Sequence, residues 1–277
     1  MIDYKTTPIS LESHVLDREG CPIHYWVGGA AKRPLLVFMH GATMDHRMFN
    51  AQVEALAADY RVLVWDARGH GQSTPVGAGF NLDLCARDML AVLDAVGVET
   101  AVIGGQSLGG YIAQTLYRIA PQRVQAMIVI GSTPIAKAYS KLEMWTLKAT
   151  MPLFNVWPYG NFVNMVATNT AITPAVQEYA LAAASQINRD DFLTIWKAVT
   201  LAVDDKGLPN FTIDVPLLLI HGDQDKTGTI RRDMPLWAAW EPQATYHVIP
   251  HAGHNANQDN AAFTNETIRT FLNETAL

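Results

Sequence analysis

The most regular feature of the chain is a series of short apolar runs, separated by segments whose apolar residues recur every three or four positions. The runs at 35–39 (Leu-Leu-Val-Phe-Met), 61–65, 100–103, 126–130, 216–220 and 246–249 carry few polar interruptions, as expected of strands buried on both faces. Two further strand-like runs, 13–17 and 23–27, flank the turn sequence Arg18-Glu19-Gly20 and predict an antiparallel hairpin at one sheet edge. Helical spacing marks 48–58, through Phe49, Val53, Leu56 and Ala57, and 84–96, through Met89, Leu90, Val92, Leu93 and Val96, with Gly97 as its stop. Residues 111–120, which end before Pro121, and 263–272 complete the set. Strands and helices alternating in this way predict an α/β fold: a mostly parallel eight-stranded sheet, flanked by helices on both faces, with right-handed crossovers.

The alternation stops between 133 and 210. That stretch is rich in Trp, Met, Tyr and Ala, and its periodicity is helical at 175–185 and 191–202, the latter with Asp191 as a candidate cap. It is too long for an ordinary loop. The expectation is therefore a core domain of residues 1–132 and 211–277, carrying a helical cap insertion at 133–210. Trp145, Trp157, Tyr159 and Trp196 are its candidate substrate-binding residues.

Gly105-Gln106-Ser107-Leu108-Gly109 lies where the run 100–103 passes into the helix 111–120. A serine at so sharp a strand-to-helix turn needs strained backbone and small neighbours, which Gly105 and Gly109 supply. Three fixed positions alone are a weak signal. A strand before and a helix after are the context that G-x-S-x-G requires, so Ser107 is the expected nucleophile. The amide of Leu108, at the helix N-terminus, then points where an oxyanion would form.

A serine hydroxyl needs a neighbouring base to take its proton, and sites in such sheets form outside the carboxyl ends of the strands. The run 216–220 is followed by His221-Gly222-Asp223-Gln224-Asp225, and the run 246–249 by Pro250-His251-Ala252-Gly253-His254. Asp225, with the longer arm, is the expected acid that orients the base, and Asp223 reads as a turn residue bonding nearby amides. His254, preceded by two small residues, is the expected base, with His251 a structural neighbour. After the run 35–39, His40-Gly41-Ala42 should supply the second oxyanion amide from Ala42, with His40 beneath the site and bonded to backbone. The segment Asp66-Ala67-Arg68-Gly69-His70-Gly71-Gln72-Ser73 lacks the lysine motif of a phosphate cradle. It is expected to be a tight glycine loop pinned by its own Asp/Arg/His network. No metal and no organic cofactor is expected.

Composition narrows the classes further. The chain has 277 residues, 49% hydrophobic and 17% charged, which is ordinary globular material with ample core. A net charge of −6 and no basic run longer than Arg231-Arg232 argue against a nucleic-acid partner. The two cysteines, Cys21 and Cys85, are expected as buried reduced thiols. Residues 1–8 lack the basic start and apolar core of a signal peptide. No stretch reaches the roughly 18 apolar residues of a membrane span. A cytoplasmic protein with no membrane partner follows as the expectation, with a homodimer left open.

Taken together, His40-Gly41, the 66–73 segment, residues 105–109, Gly222-x-x-Asp225 and Gly253-His254 resemble the α/β-hydrolase superfamily. The pattern is that of its capped bacterial esterases, lactonases, carbon–carbon bond hydrolases and cofactor-free haloperoxidase-like enzymes. The resemblance covers about residues 13–272 apart from the insertion, which sits where that family carries its helical cap. It implies the α/β-hydrolase fold, a Ser107–Asp225–His254 triad, and hydrolysis of a small-molecule carboxylic ester or lactone through an acyl-enzyme. Diketone carbon–carbon hydrolysis and acyl transfer use the same triad, and a ligand sensor on a hydrolase fold is the alternative outside enzymes. Family members that act as dehalogenases or epoxide hydrolases carry Asp at the elbow, so Ser107 disfavours those activities. The Gly-Gly-Gly-x oxyanion loop associated with bulky tertiary-alcohol esters is absent.

Overall fold

The computed structural model describes residues 2–8, 10–30, 32–208 and 210–275, without the side chains of residues 153, 155 and 156. The outer limits of the expected domains that fall on residues 1, 276 and 277, and the insertion's Pro209, lie outside the described residues. Eight strands, β1 (Leu11–Arg18), β2 (Cys21–Gly29), β3 (Leu35–Met39), β4 (Arg61–Trp65), β5 (Ala101–Gln106), β6 (Val124–Ile130), β7 (Leu217–Gly222) and β8 (Ala244–Ile249), form one sheet in the order β1-β2-β4-β3-β5-β6-β7-β8. The β1–β2 and β2–β4 pairs are antiparallel and the remaining pairs are parallel. The edge hairpin and the parallel body agree with the hydrophobic pattern.

The apolar strands bury both faces, and alternate residues separate into two cores. Leu35, Val37, Leu63, Trp65, Ile103, Met127 and Leu219 face one core. There they pack against α2 (Leu82–Val96), α3 (Leu108–Ile119) and α8 (Ile230–Trp240). Leu36, Phe38, Val62, Val64, Val102, Ile128 and Ile220 face the other. That core is closed by α1 (Asn50–Leu56), the short α9 (Ala256–Asp259) and α10 (Ala261–Glu274). The chain leaves β3 towards β4 on one side and returns to β5 on the other, so the strand order reverses at β3. In an open α/β sheet that reversal leaves a crevice outside the strands' carboxyl ends.

Between β6 and β7 the described residues form four consecutive helices, α4 (Lys141–Val156), α5 (Tyr159–Thr170), α6 (Pro174–Ala184) and α7 (Arg189–Thr200). The periodicity anticipated α6 and α7 but not α4, α5 or α8. Pro152 lies within α4 and Pro235 within α8, and an internal proline reads as a helix break. Asp191 does not cap α7. Asn188 does, its side chain accepting from the Asp191 amide at 2.9 Å, and Asp191 lies inside the first turn. The segment expected as a helix over 48–58 opens as a 3₁₀ turn, His46–Phe49, before α1. No helix among the described residues is long and apolar enough to cross a membrane. Cys21 and Cys85 are buried and unpaired with each other.

Candidate active site

Ser107 sits between β5 and α3 with φ 51° and ψ −111°, a strained conformation for a residue with a Cβ. The flanking glycines make it attainable. A Cβ on Gly105 would lie 2.2 Å from the backbone of Gly109, and one on Gly109 would lie 1.9 Å from the Met39 carbonyl oxygen. The elbow is held by the Ser107 amide, which donates to the Ile130 carbonyl at 2.8 Å, and by the Gly110 amide, which donates to the Ser107 carbonyl at 2.9 Å. Leu108 is the first residue of α3, so its amide has no acceptor within the helix.

The loops after β7 and β8 are bonded to each other. The Asp223 amide donates to the Ile249 carbonyl and the Gln224 amide to the Ala252 carbonyl, each at 2.9 Å. The Asp223 carboxylate accepts from the Ala252 amide at 3.0 Å, so it ties its loop to the one after β8, a bond across two loops where one within its own turn is expected. This arrangement brings Asp225 and His254, both buried, together: His254 Nδ1 lies 2.9 Å from Asp225 Oδ2. The other carboxylate oxygen accepts from the Thr227 amide at 2.8 Å. Burial alone would push the Asp225 pKa up. The His254 ring beside it and the Thr227 amide outweigh burial and hold it below the usual carboxylate range. His251 is exposed, with φ 54°, and stands outside this pair.

Residues that the motifs did not single out fix the His254 loop. Gln106 Nε2 donates to the His254 carbonyl at 3.0 Å. The Asn255 amide donates to the Thr170 carbonyl at 2.7 Å. Asp259 accepts from the amides of Gly253 and Thr173, both at 2.9 Å. Gln106 occupies the variable position of the motif, so nothing in the pattern marked it.

Ala42 follows β3 and faces the same space as Ser107. His40 lies beneath, fully bonded to backbone: Nδ1 to the Gly41 carbonyl at 2.8 Å, and Nε2 accepting from the Ala67 amide at 3.0 Å. Burial lowers its pKa, so it stays neutral. The 66–73 segment is an internal network. Asp66 accepts from the His46 amide and ring, and from the Gln72 amide, each at 2.8 Å. Arg68 pairs with Asp88 at 2.7 Å, both side chains fully buried. Asp45, His46 and Asp66 lie close enough to share an ion, but each is taken up by protein groups. Asp45 pairs with Arg47 and Tyr179, and the two His46 nitrogens face Asp66 and Thr7.

Two lobes open at Ser107. One, of about 270 Å³, includes His254, Phe154, Phe162, Met165 and Phe192 in its wall. The other, of about 420 Å³, includes Tyr111, Tyr139, Met144, Leu147 and Val203. Of the four aromatic residues expected at the substrate, Trp196 lines both lobes. The other three do not line either lobe among the described residues. Trp145 is 67% exposed on α4, on the face turned to solvent. Trp157 precedes α5 and is half-buried elsewhere. Tyr159 packs on Phe162 and Phe192, and its hydroxyl donates to the Ile187 carbonyl at 2.8 Å. Helical aromatic spacing could not separate the cavity wall from the packing behind it.

Comparison with known proteins agrees with the fold. A family model described as alpha/beta hydrolase fold matches residues 34–261. A 2-hydroxy-6-oxononadienedioate/2-hydroxy-6-oxononatrienedioate hydrolase of Paraburkholderia phymatum is 29% identical over 266 residues, 91% of each chain. A 3-oxoadipate enol-lactonase 1 of Acinetobacter baylyi is 33% identical over 135 residues, 49% of each chain. Among solved structures, a thermophilic esterase from Thermogutta terrifontis superposes with a TM-score of 0.82 at 21% identity, over 95% of this chain and 99% of that one.

Proposed function

Because the chain belongs to the α/β-hydrolase family of enzymes, we propose that it is a serine hydrolase cleaving carboxylic esters or lactones through an acyl-enzyme on Ser107. The observation that carries this reading is the buried His254–Asp225 pair at 2.9 Å, whose histidine lines the same cavity as the strained Ser107.

In this mechanism Ser107 Oγ attacks the ester carbonyl while His254 Nε2 takes its proton. Asp225, ionised well into the acid range, keeps the ring proton on Nδ1 and stabilises the imidazolium. The amides of Ala42 and Leu108 hold the oxyanion, a donor pair each member of which contributes about 10²–10³ in kcat in comparable sites. His254 then protonates the leaving alcohol. Water repeats the sequence on the acyl-enzyme and restores Ser107. All of these proton transfers use the chain's own groups. The helices of the 133–210 insertion act as a cap that closes the site and sets which substrates fit.

Purified protein should turn over a short p-nitrophenyl ester, and Ser107→Ala should abolish that turnover. Undiminished turnover by the variant refutes the reading. The name of the Paraburkholderia relative supports a second substrate, a 2-hydroxy-6-oxo diketone handled by the same three residues. Efficient diketone cleavage with negligible ester turnover selects it.

A further inference from the structure

Resting on the proposed Ser107–His254 chemistry, we infer that the two lobes divide the substrate: the leaving alcohol enters the smaller aromatic lobe and a neutral acyl chain the larger one. Both lobes meet at Ala42, Ser107, Trp196 and Thr227, so the reacting carbonyl sits between them. What distinguishes the sides is the base. In acylation the Ser107 Oγ–carbon bond forms and the carbon–alkoxy bond breaks, and the proton taken from Ser107 passes through His254 Nε2 to the alkoxy oxygen. The alcohol must therefore leave on the side that Nε2 faces.

His254 and Asn255 line the smaller lobe and are not part of the larger lobe's wall. The larger lobe approaches the ring through Gly131 instead. A Cβ built there would lie 3.2 Å from His254 Nδ1 and 3.3 Å from Cε1, the ring edge whose nitrogen is already committed to Asp225. Since His254 lines the smaller lobe and not the larger, proton delivery to the leaving oxygen is assigned to the smaller lobe. Its wall suits a compact ring or a short branched alcohol: Phe154, Phe162, Phe192 and Trp196 surround it, with Met165 and Val166 beside them. The polar rim of the same lobe, the exposed Asn169 and Lys226 with half-buried Thr170, gives water a path to the acyl-enzyme once the alcohol has gone.

The larger lobe runs along α4 and α7, past Tyr111, Tyr139, Met144, Leu147, Val199 and Val203, an apolar trough suited to a chain. Its charged side chain is an acid, Glu143, whose carboxylate accepts from Ser140 and pairs with Arg232 at 2.7 Å. No lysine or arginine is present in that wall among the described residues. An acyl group ending in a carboxylate finds no counter-charge there.

Two substrate series separate the lobes: p-nitrophenyl esters from acetate to octanoate, with the alcohol fixed, and butanoate esters from methyl to benzyl, with the acyl group fixed. Leu147→Trp and Val199→Phe, both at half-buried positions, fill the larger lobe. Each methylene buried contributes about fourfold, so excluding two or more should cut the octanoate-to-acetate ratio of kcat/KM by about tenfold or more. The benzyl-to-methyl ratio should stay within about twofold. Met165→Trp and Val166→Phe, also half-buried, should do the reverse. A p-nitrophenyl hemiglutarate should turn over at least about tenfold more slowly than the pentanoate. The opposite pairing of variants with series overturns the assignment of lobes, and equal turnover of hemiglutarate and pentanoate overturns the neutral acyl group. Ester turnover that survives Ser107→Ala overturns the underlying reading as well, a result distinct from a mere exchange of lobes.

Discussion

Replacing Asp225 with asparagine isolates what the acid does. Two contacts constrain the replacement: the Thr227 amide donates to one carboxylate oxygen at 2.8 Å, and His254 Nδ1 lies 2.9 Å from the other. Asparagine has one carbonyl oxygen and one NH₂. With its oxygen kept on the Thr227 amide, its NH₂ faces Nδ1, which must then accept. The ring proton moves to Nε2, the nitrogen that should be taking a proton from Ser107. Turning the amide round sets NH₂ against the Thr227 N–H inside a buried site, where an unmatched donor costs about 1–3 kcal/mol. The first arrangement is thus favoured and the wrong tautomer is populated. The comparable change in a Ser-His-Asp site lowers kcat about 10⁴-fold, about 5.4 kcal/mol of transition-state stabilisation at 1.36 kcal/mol per tenfold. Steady-state kinetics on a p-nitrophenyl ester should show that loss in kcat with little change in KM, and circular dichroism should show the fold intact. A folded Asp225→Asn enzyme with kcat within tenfold of wild type refutes the role of Asp225.

Acid should destabilise the protein in a defined direction. Burial would raise the pKa values of Asp45, Asp225 and Asp233, but Arg47, His254 and the Arg232–Lys137 pair respectively hold all three below the usual range. A folded-state pKa below the unfolded one stabilises fully above the unfolded value, about 3.9. That stabilisation is lost as pH falls through the lowered values. The Tm should therefore drop steeply once the pH goes below about 4, and a Tm flat down to pH 3 contradicts this. Asp88→Ala leaves the fully buried Arg68 without its 2.7 Å partner; urea unfolding should show a loss of about 3–5 kcal/mol, and a loss under 1 argues against the pair. Trp145→Ala, at an exposed site, should change stability by no more than about 0.5 kcal/mol and leave kcat/KM alone. Trp196→Ala opens the wall of both lobes and frees Thr150 Oγ1 from the indole N–H, so kcat/KM should fall about tenfold, about 1.4 kcal/mol. Equal effects at the two tryptophans would remove Trp196 from the site.

The sheet was legible because its strands are buried on both faces and so are nearly pure apolar runs. Strand ends were less so: β5 extends through Gly104, Gly105 and Gln106, which carry no apolar signal although they are buried in the sheet. Helices were read where one apolar face is continuous, as in α2. A proline interrupts the pattern in α4, at Pro152, and in α8, at Pro235, whereas α5 carries no proline and its apolar positions still form no clear face in the sequence. Ser107, Asp225 and His254 could be picked out because each follows a strand end, and the sheet geometry brings those ends together. Gln106 and Asp259 could not, since their partners, the His254 carbonyl and the amides of Gly253 and Thr173, are set by how loops meet in space. The cavity wall is hidden for the same reason. Trp145 and Trp196 look equivalent in sequence, and only the packing of α4 and α7 turns one outward and the other towards Ser107.

The central claim, that Ser107 is a nucleophile activated by His254, is tested most directly by covalent capture. A fluorophosphonate probe reacts with an activated serine and leaves a stable adduct that mass spectrometry can locate. Wild-type protein should take up one equivalent, on the peptide carrying Ser107, and lose ester turnover in step with labelling. Folded Ser107→Ala should take up none. One equivalent found on another residue, or the same uptake by the Ser107→Ala protein, would contradict the account.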